Sequence, residues 1–502
     1  MPKIRCHFIS VISKTFRSIW FIIAMFLFSF LDLIKDIKMQ SIPSKSIFIG
    51  LGIFLLIILI VFTFNLLRWW KTKIYIEDDM LIVERNQVSQ SKTTVKLSGI
   101  STVNLQQNIF QRIFDVYTLQ LDINSSVTAN KTDFNLMFGD EIALEFRDYI
   151  LKYIDETNRP TTNTTYDMDS DIKQSTNDES PLPNNDFMDS NLNTSDSETI
   201  ISFSFKEVMR HCILSFSFLG GVYSVALLAT AVFAVTSNEN SSLSTLWPAI
   251  FSLVLAIVPF VYKSLTAFLL YHNFVLEKKG SKLCVSYGLF TRKQFTLPLD
   301  KTNAIVIKQP FQARPFNLCY GEIINVGMGD SAENQVPIFC LLVKYEQLQE
   351  IINYIAPKLV LTEPNEKSPK TALYTILLKW LFWGILFLIG FSIFHKWWIG
   401  AIIIALFTVL GILSYNTKGL NLYENKVSIT TGVFDKRTII IPYSKLQNIS
   451  SKYGPIGKKF NISKGSVTIL ASFANCFNQI GYFENEKFEQ LSAKIVSVES
   501  IN

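Results

Sequence analysis

Cys6–His7 and His211–Cys212 each place a thiol beside an imidazole, and both groups are zinc ligands. A zinc site needs four ligands gathered at short spacings. The chain has four histidines in 502 residues, and its six cysteines (Cys6, Cys212, Cys284, Cys319, Cys340, Cys476) form no CxxC pair. The expectation is no metal, no cofactor, and scattered single thiols suited to a reducing cytosol. Residues 327–330 read GMGD, the GxGD string of intramembrane aspartyl proteases. That chemistry needs a second Asp, with both carboxyls inside the membrane sharing a proton. Asp330 lies between polar stretches, so a Gly-rich turn is expected. The run YDMDSDIKQSTND (166–178) alternates carboxylates as a calcium loop does, but Ile172 replaces the Gly such a loop needs at its sixth position and Asp178 the Glu at its twelfth. No GxSxG, HExxH or Walker loop is present. The chain is expected not to be an enzyme.

A different motif recurs. Arg112 stands two residues before Phe114, Asp115 and Val116; Arg314 before Phe316, Asn317 and Leu318; Lys458 before Phe460, Asn461 and Ile462. An isolated arginine there could bind a phosphate. The repetition changes that expectation. Residues 86–117 align without gaps to the stretch 202 residues further on, and that stretch to another 144 further. Asn86, Gly288 and Gly432 share a column and predict a tight turn, since Gly and Asn tolerate positive φ. Val88, Phe290 and Phe434 are expected to begin the next strand. Val95, Leu297 and Ile441, then Leu97, Leu299 and Tyr443, keep the strand period of two. Pro298 and Pro442 between them predict an edge strand or bulge. Val103, Ile305 and Ile449 mark a further strand. In this frame the Phe and aliphatic of the motif specify a turn and a core strand, and the basic residue is the position left for function.

The elements that carry these residues alternate with apolar segments. Half of the chain, 49%, is hydrophobic and only 18% charged, and mean hydropathy is positive. Residues 46–67 are uncharged and long enough to span a bilayer. Further candidates are 18–34, 212–236, 246–270, 374–394 and 397–415, giving six spans in three hairpins. The first has basic residues ahead of it but no small-x-small cleavage site, so it is expected to be retained. Lys3, Arg5, Lys14 and Arg17 before the first span, and Arg68, Lys71 and Lys73 after the second, place the large soluble segments in the cytoplasm, with Trp69 and Trp70 as interface anchors. Lys35, Lys38 and Lys45 in the first hairpin loop count the other way. The spans are nearly free of ionisable residues, which disfavours a transporter or channel; Lys263 lies near a cytoplasmic end and can snorkel.

After each hairpin comes alternating β-type sequence and then an amphipathic helix candidate, at 139–154, 343–355 and 485–498. The boundaries are a first hairpin over 1–67 and sheet unit over 68–155, an acidic linker over 156–198 that is too polar to fold, a second hairpin over 199–270 and unit over 271–357, a linker over 358–372, and a third hairpin over 373–415 and unit over 416–502.

Small β domains with a terminal helix, each preceded by a membrane hairpin, resemble the bacterial pleckstrin-homology-like (PH-like) domains of the YdbT type. The residues behind the resemblance are the strand starts IYIEDDMLIVERN, FVLEKKGSKLCVSYG and NLYENKVSITTG, and the basic hairpins RKQFTLPLDK and DKRTIIIPYSK. Unit one departs from the pattern, with Asn86 for the turn glycine, Gln90 and Ser91 for the basic pair, and Lys96 for the proline. The resemblance implies an α+β membrane protein in which each transmembrane hairpin precedes a small PH-like β-barrel or sheet domain with a C-terminal helix. It also implies a headgroup site in a basic hairpin. The candidates are Arg292 with Lys293 and Lys436 with Arg437, alongside Arg112, Arg314 and Lys458 of the recurrent motif. Anionic lipid attracts exposed basic residues beside a membrane by about 1 kcal/mol each. The expected function is a protein-interaction scaffold at the bacterial cell membrane, with a role in envelope stress or antimicrobial resistance fitting that picture. The alternative is lipid binding or transfer. Expected partners are anionic headgroups and, by resemblance, a smaller single-domain membrane protein, in a homo- or hetero-oligomer without nucleic acid.

Overall fold

The structure is a computed structural model that describes residues 3–16, 18–19, 44–86, 90–123, 134–157, 197–215, 226, 229, 243–325, 338–363, 365–393, 397–471 and 476–499. Most of the 18–34 and 212–236 segments, the bulk of the acidic linker, Val88 and the GMGD string lie outside these residues.

Unit one follows helix α1 (Ser44–Trp70), from which Lys71 alone separates it. It is a meander of β1 (Thr72–Glu77), β2 (Met80–Asn86) and β3 (Gln90–Lys96). Asp78 and Asp79 link β1 to β2 with positive φ at both positions, the twist a two-residue hairpin requires. A second meander follows: β4 (Ile100–Gln107), the short helix α2 (Ile109–Ile113), β5 (Val116–Ile123) and β6 (Phe134–Gly139). Helix α3 (Asp140–Thr157) closes the unit, setting Ala143, Phe146 and Ile150 into a core with Ile74, Val103 and Leu119.

The plan then repeats. Strand β7 (Ser197–Ser202) and the amphipathic helix α4 (Phe205–Leu214) precede helix α5 (Leu243–Tyr271). Unit two is β8 (Val275–Lys279), β9 (Lys282–Tyr287), β10 (Arg292–Pro298), β11 (Thr302–Gln309), β12 (Leu318–Asn325), β13 (Ile338–Lys344) and α6 (Tyr345–Ile355). Strand β14 (Glu366–Lys367) precedes helices α7 (Lys370–Ile393) and α8 (Trp397–Asn416), which pack antiparallel, with Gly384 against Ile404 and Gly400 against Leu388. Unit three is β15 (Gly419–Leu422), β16 (Lys426–Thr431), β17 (Lys436–Pro442), β18 (Leu446–Lys452), the short helix α9 (Pro455–Lys459), β19 (Ile462–Ile469), β20 (Phe477–Glu484) and α10 (Asn485–Glu499). Among the described residues, Leu253–Tyr271, Lys370–Gly390 and Trp398–Asn416 are long and apolar enough to cross a membrane, and Phe54–Trp70 is a shorter apolar helix.

The units do not keep separate sheets. The strand orders are β1-β2-β3, then β6-β5-β4-β10-β9-β8-β7, then β13-β12-β11-β17-β16-β15-β14, then β18-β19-β20. The second meander of each unit thus pairs with the first meander of the next. In the first joint Gln107 lies opposite Arg292, and the ladder runs to Val103 opposite Thr296. In the second, Gln309 lies opposite Lys436 and Ile305 opposite Ile440. Each joined sheet has the core of one unit on one face and that of the next on the other. Along β11, Ile305 and Ile307 enter the unit-two core, while Ala304 and Val306 enter the core of unit three.

Three strand expectations change. Phe290 and Phe434 do not begin strands; they sit in the turns before β10 and β17. Pro298 and Pro442 end their strands, beyond the joint ladders, so their missing N–H interrupts no joint hydrogen bond. The turn glycines do hold. Gly288 and Gly432 have φ of 117° and 138°, and a Cβ on Gly432 would lie 1.9 Å from the Asp435 carbonyl oxygen. The third member of that column, Asn86, ends β2.

Candidate functional site

The recurrent motif caps the loop between the fourth and fifth strands of every unit. Asp115, Asn317 and Asn461 take the left-handed conformation, with φ of 49°, 54° and 54°, which returns the chain into the next strand. Val116, Leu318 and Ile462 then enter the core. Phe114, Phe316 and Phe460 are 56%, 64% and 41% exposed, so the Phe marks the turn and the aliphatic after it the core strand. The left-handed turn directs the aliphatic inward and leaves the residue before it at the loop tip. In unit one α2 exposes Ile109, Phe110 and Ile113, with Phe114 just past it, around the exposed Arg112.

These tips lie at the end of the sheets where the helices enter. Gly288 N donates to His272 O at 2.8 Å and Leu289 N to Leu269 O at 3.0 Å, so the turn before β10 rests on the end of α5. Thr417, just past α8, donates its hydroxyl to Gly432 O in the matching turn of unit three. The loop tip of one unit reaches the hairpin turn of the next: Phe311 N donates to Asp435 Oδ1 at 3.0 Å, and the Phe311 and Phe434 rings meet edge to face at 6.3 Å. All seven sequence-predicted site residues therefore lie on one rim, interleaved with aromatic side chains.

Their surroundings differ. Arg292 and Lys293 stand opposite Gln107 and Gln106 in the first joint. Lys436 and Arg437 stand opposite Gln309 and Lys308 in the second, where Arg437 donates to Asn478 Oδ1 at 2.8 Å and Lys308 pairs with Glu322 at 2.7 Å. Burial holds Arg437 below the usual guanidinium range, and Glu322 opposes the shift. Burial also lowers Lys436, and the charge of Arg314 lowers it further. Arg314, lowered by burial against the pull of Asp435, has Nε and Nη2 buried without a hydrogen-bond partner among the described residues. Buried donors of this kind are satisfied by a water or an anion, and a guanidinium bonds an anion more strongly. Arg112 and Lys458 are exposed.

The aromatic half of the rim escaped the sequence reading. Its signal was Ile109 and Phe110 beside Ile113 and Phe114, an apolar cluster in a segment read as a turn. A second feature missed is a pair of lysines at one column of the repeat. Lys282 Nζ donates to Leu151 O at 3.2 Å, and Lys426 Nζ to Lys358 O at 2.9 Å. Each ties its unit to the C-terminal helix region of the unit before. Met80 occupies that column in unit one.

His211 and Cys212 belong to packing. The His211 ring contacts Tyr271 at 5.2 Å and Tyr320 at 5.4 Å, and burial lowers its pKa to about 3. Among the described residues no three His, Cys, Asp or Glu side chains converge.

A family model described as bacterial PH domain matches residues 29–153, 218–357 and 376–499. The chain is also 19% identical over 427 residues to the UPF0699 transmembrane protein YdbT of Bacillus subtilis (strain 168), covering 81% of each chain. No solved structure matches.

Proposed function

We propose a scaffold function for this chain, which belongs to the bacterial PH domain family and carries that domain three times. In this proposal it is a non-enzymatic, multi-pass protein of the bacterial cell membrane. Six spans in three hairpins hold the sheet units in the cytoplasm, where they bind a protein partner at the bilayer surface. A part in envelope stress or antimicrobial resistance belongs to the same proposal. The observation that carries it is the pair of shared sheets, which turns three small domains into one continuous array. Short tethers support it. Lys71, His272–Phe274 and Thr417–Lys418 are all that separate α1, α5 and α8 from the strands that follow. So short a tether holds each unit at the headgroups and raises its effective concentration for anything bound there. The test is to purify the tagged full chain in nanodiscs and identify what comes with it. A second polypeptide at fixed stoichiometry is expected; lipid alone, or nothing, overturns the scaffold.

A second reading, lipid recognition, is favoured by Arg314, whose buried Nε and Nη2 lack partners among the described residues and which lies beside Lys436 and Phe311. Its probe is phosphatidylglycerol retained by the purified chain in native mass spectrometry. Arg314→Gln is expected to release it, and unchanged retention removes this reading.

A further inference from the structure

Two columns of the repeat supply joint strands. One holds β3, β10 and β17; the other holds β4, β11 and β18. The joints use β4 with β10 and β11 with β17. That leaves β3 at the edge of the first sheet and β18 at the edge of the last. We propose that these two edges form a third joint between two copies of the chain, β18 of one copy pairing antiparallel with β3 of the next.

The repeat specifies the register. Adding 202 to Gln107 gives Gln309, adding 144 to Arg292 gives Lys436, and both pairs stand opposite each other. The same rule sets Thr93 opposite Ser450, Thr94 opposite Ile449 and Lys92 opposite Ser451. Burial marks the same edges. Thr94 and Asn448 are exposed. Their counterparts Thr296 and Ile440, and Thr102 and Ala304, are buried inside the existing joints.

Orientation favours a second copy. The helices enter all three units at the rim end of the sheets. Neighbouring copies in one membrane therefore differ by a shift in the plane and a turn about its normal, with no inversion. A head-to-tail contact of this kind closes into a ring or extends as an arc. The contact is weaker than the internal joints. Compared with the second joint, Thr93 and Ser450 replace Ile439 and Val306, Thr94 replaces Ile440, and Met80 replaces the lysine tie.

This extends the scaffold reading, and its failure leaves that reading intact, since co-purification of a second polypeptide is a separate readout. Two differently tagged full-length chains are co-expressed, one with Thr93→Cys and one with Ser450→Cys, both with Cys6→Ser and Cys476→Ser. Membranes are treated with a short bismaleimide. A mixed-tag dimer is expected only when both cysteines are present, several-fold above a Thr93→Cys and Gln479→Cys control pair. Labelling of both cysteines by a monofunctional maleimide, together with elution of each variant as the parent, establishes access and folding. No mixed dimer under those conditions overturns the proposal, as does a dimer equal to the control or linkage only to another polypeptide.

Discussion

Adjacent residues of β11 should stabilise different units, because its two faces enter different cores. Val306 is fully buried and packs with Ile439 in the core of unit three; Ile305 is buried with Ile440 on the face of unit two. Val306→Ala removes two methyl groups from a site that cannot refill, at about 2 kcal/mol from the transfer and cavity terms. Ile305→Ala removes more and costs about 2–5 kcal/mol. In hydrogen exchange on the solubilised full chain, 2 kcal/mol appears as about 30-fold faster opening. The strands at the joint itself respond to both changes, so the comparison uses elements away from it. Val306→Ala should speed exchange in β19, β20 and α10 and leave β13 and α6 near their starting rates. Ile305→Ala should do the reverse. If both substitutions soften the same unit, the two-sided sheet is wrong.

Three further outcomes are expected. Gly432→Ala should destabilise by about 2 kcal/mol or more, since alanine resists that φ and its Cβ would strike the Asp435 carbonyl, whereas Gly280→Ala, with nothing within 4 Å, should cost about 1 kcal/mol in thermal unfolding. Asn317→Val should cost about 1–2 kcal/mol relative to Asn317→Gly by denaturant midpoint, because a β-branched residue resists the left-handed conformation; equal stability of the two would remove that assignment. Burial, with Lys464 and Lys379 nearby, lowers the Lys418 pKa to about 8. The unfolded chain then binds more protons between about pH 8 and 10.5, so stability rises with pH across that window. Lys418→Met should raise the melting midpoint at pH 7 by relieving at most about 3 kcal/mol, and its advantage should fade by about pH 10.5; a gain independent of pH would mean the charge is not the cause.

The helix-forming segments, the repeat and its turns were legible because they rest on local physics. Apolar runs of bilayer length, a glycine at φ above 100°, and Asp or Asn at a left-handed position are each demanded by a few neighbouring atoms. The periodicity of β11 even carried its double burial, since TNAIVIKQ is apolar on both faces, as a strand covered on two sides must be. The rim was half legible. Its basic residues stood out by type and spacing, whereas the exposure of Phe114, Phe316 and Phe460 was not legible, because an exposed aromatic and a buried one look alike in a sequence.

By itself, the sequence determined three units of β meanders and a terminal helix, apolar helices before them, and one basic-aromatic turn in each. Only the tertiary structure decided that β4 joins β10 and β11 joins β17, which merges the units into shared sheets and leaves β3 and β18 at the ends. The reason is physical. Strands pair through backbone N–H and C=O groups that every residue carries, so the code for which strand meets which is non-local and depends on how the cores pack on either face.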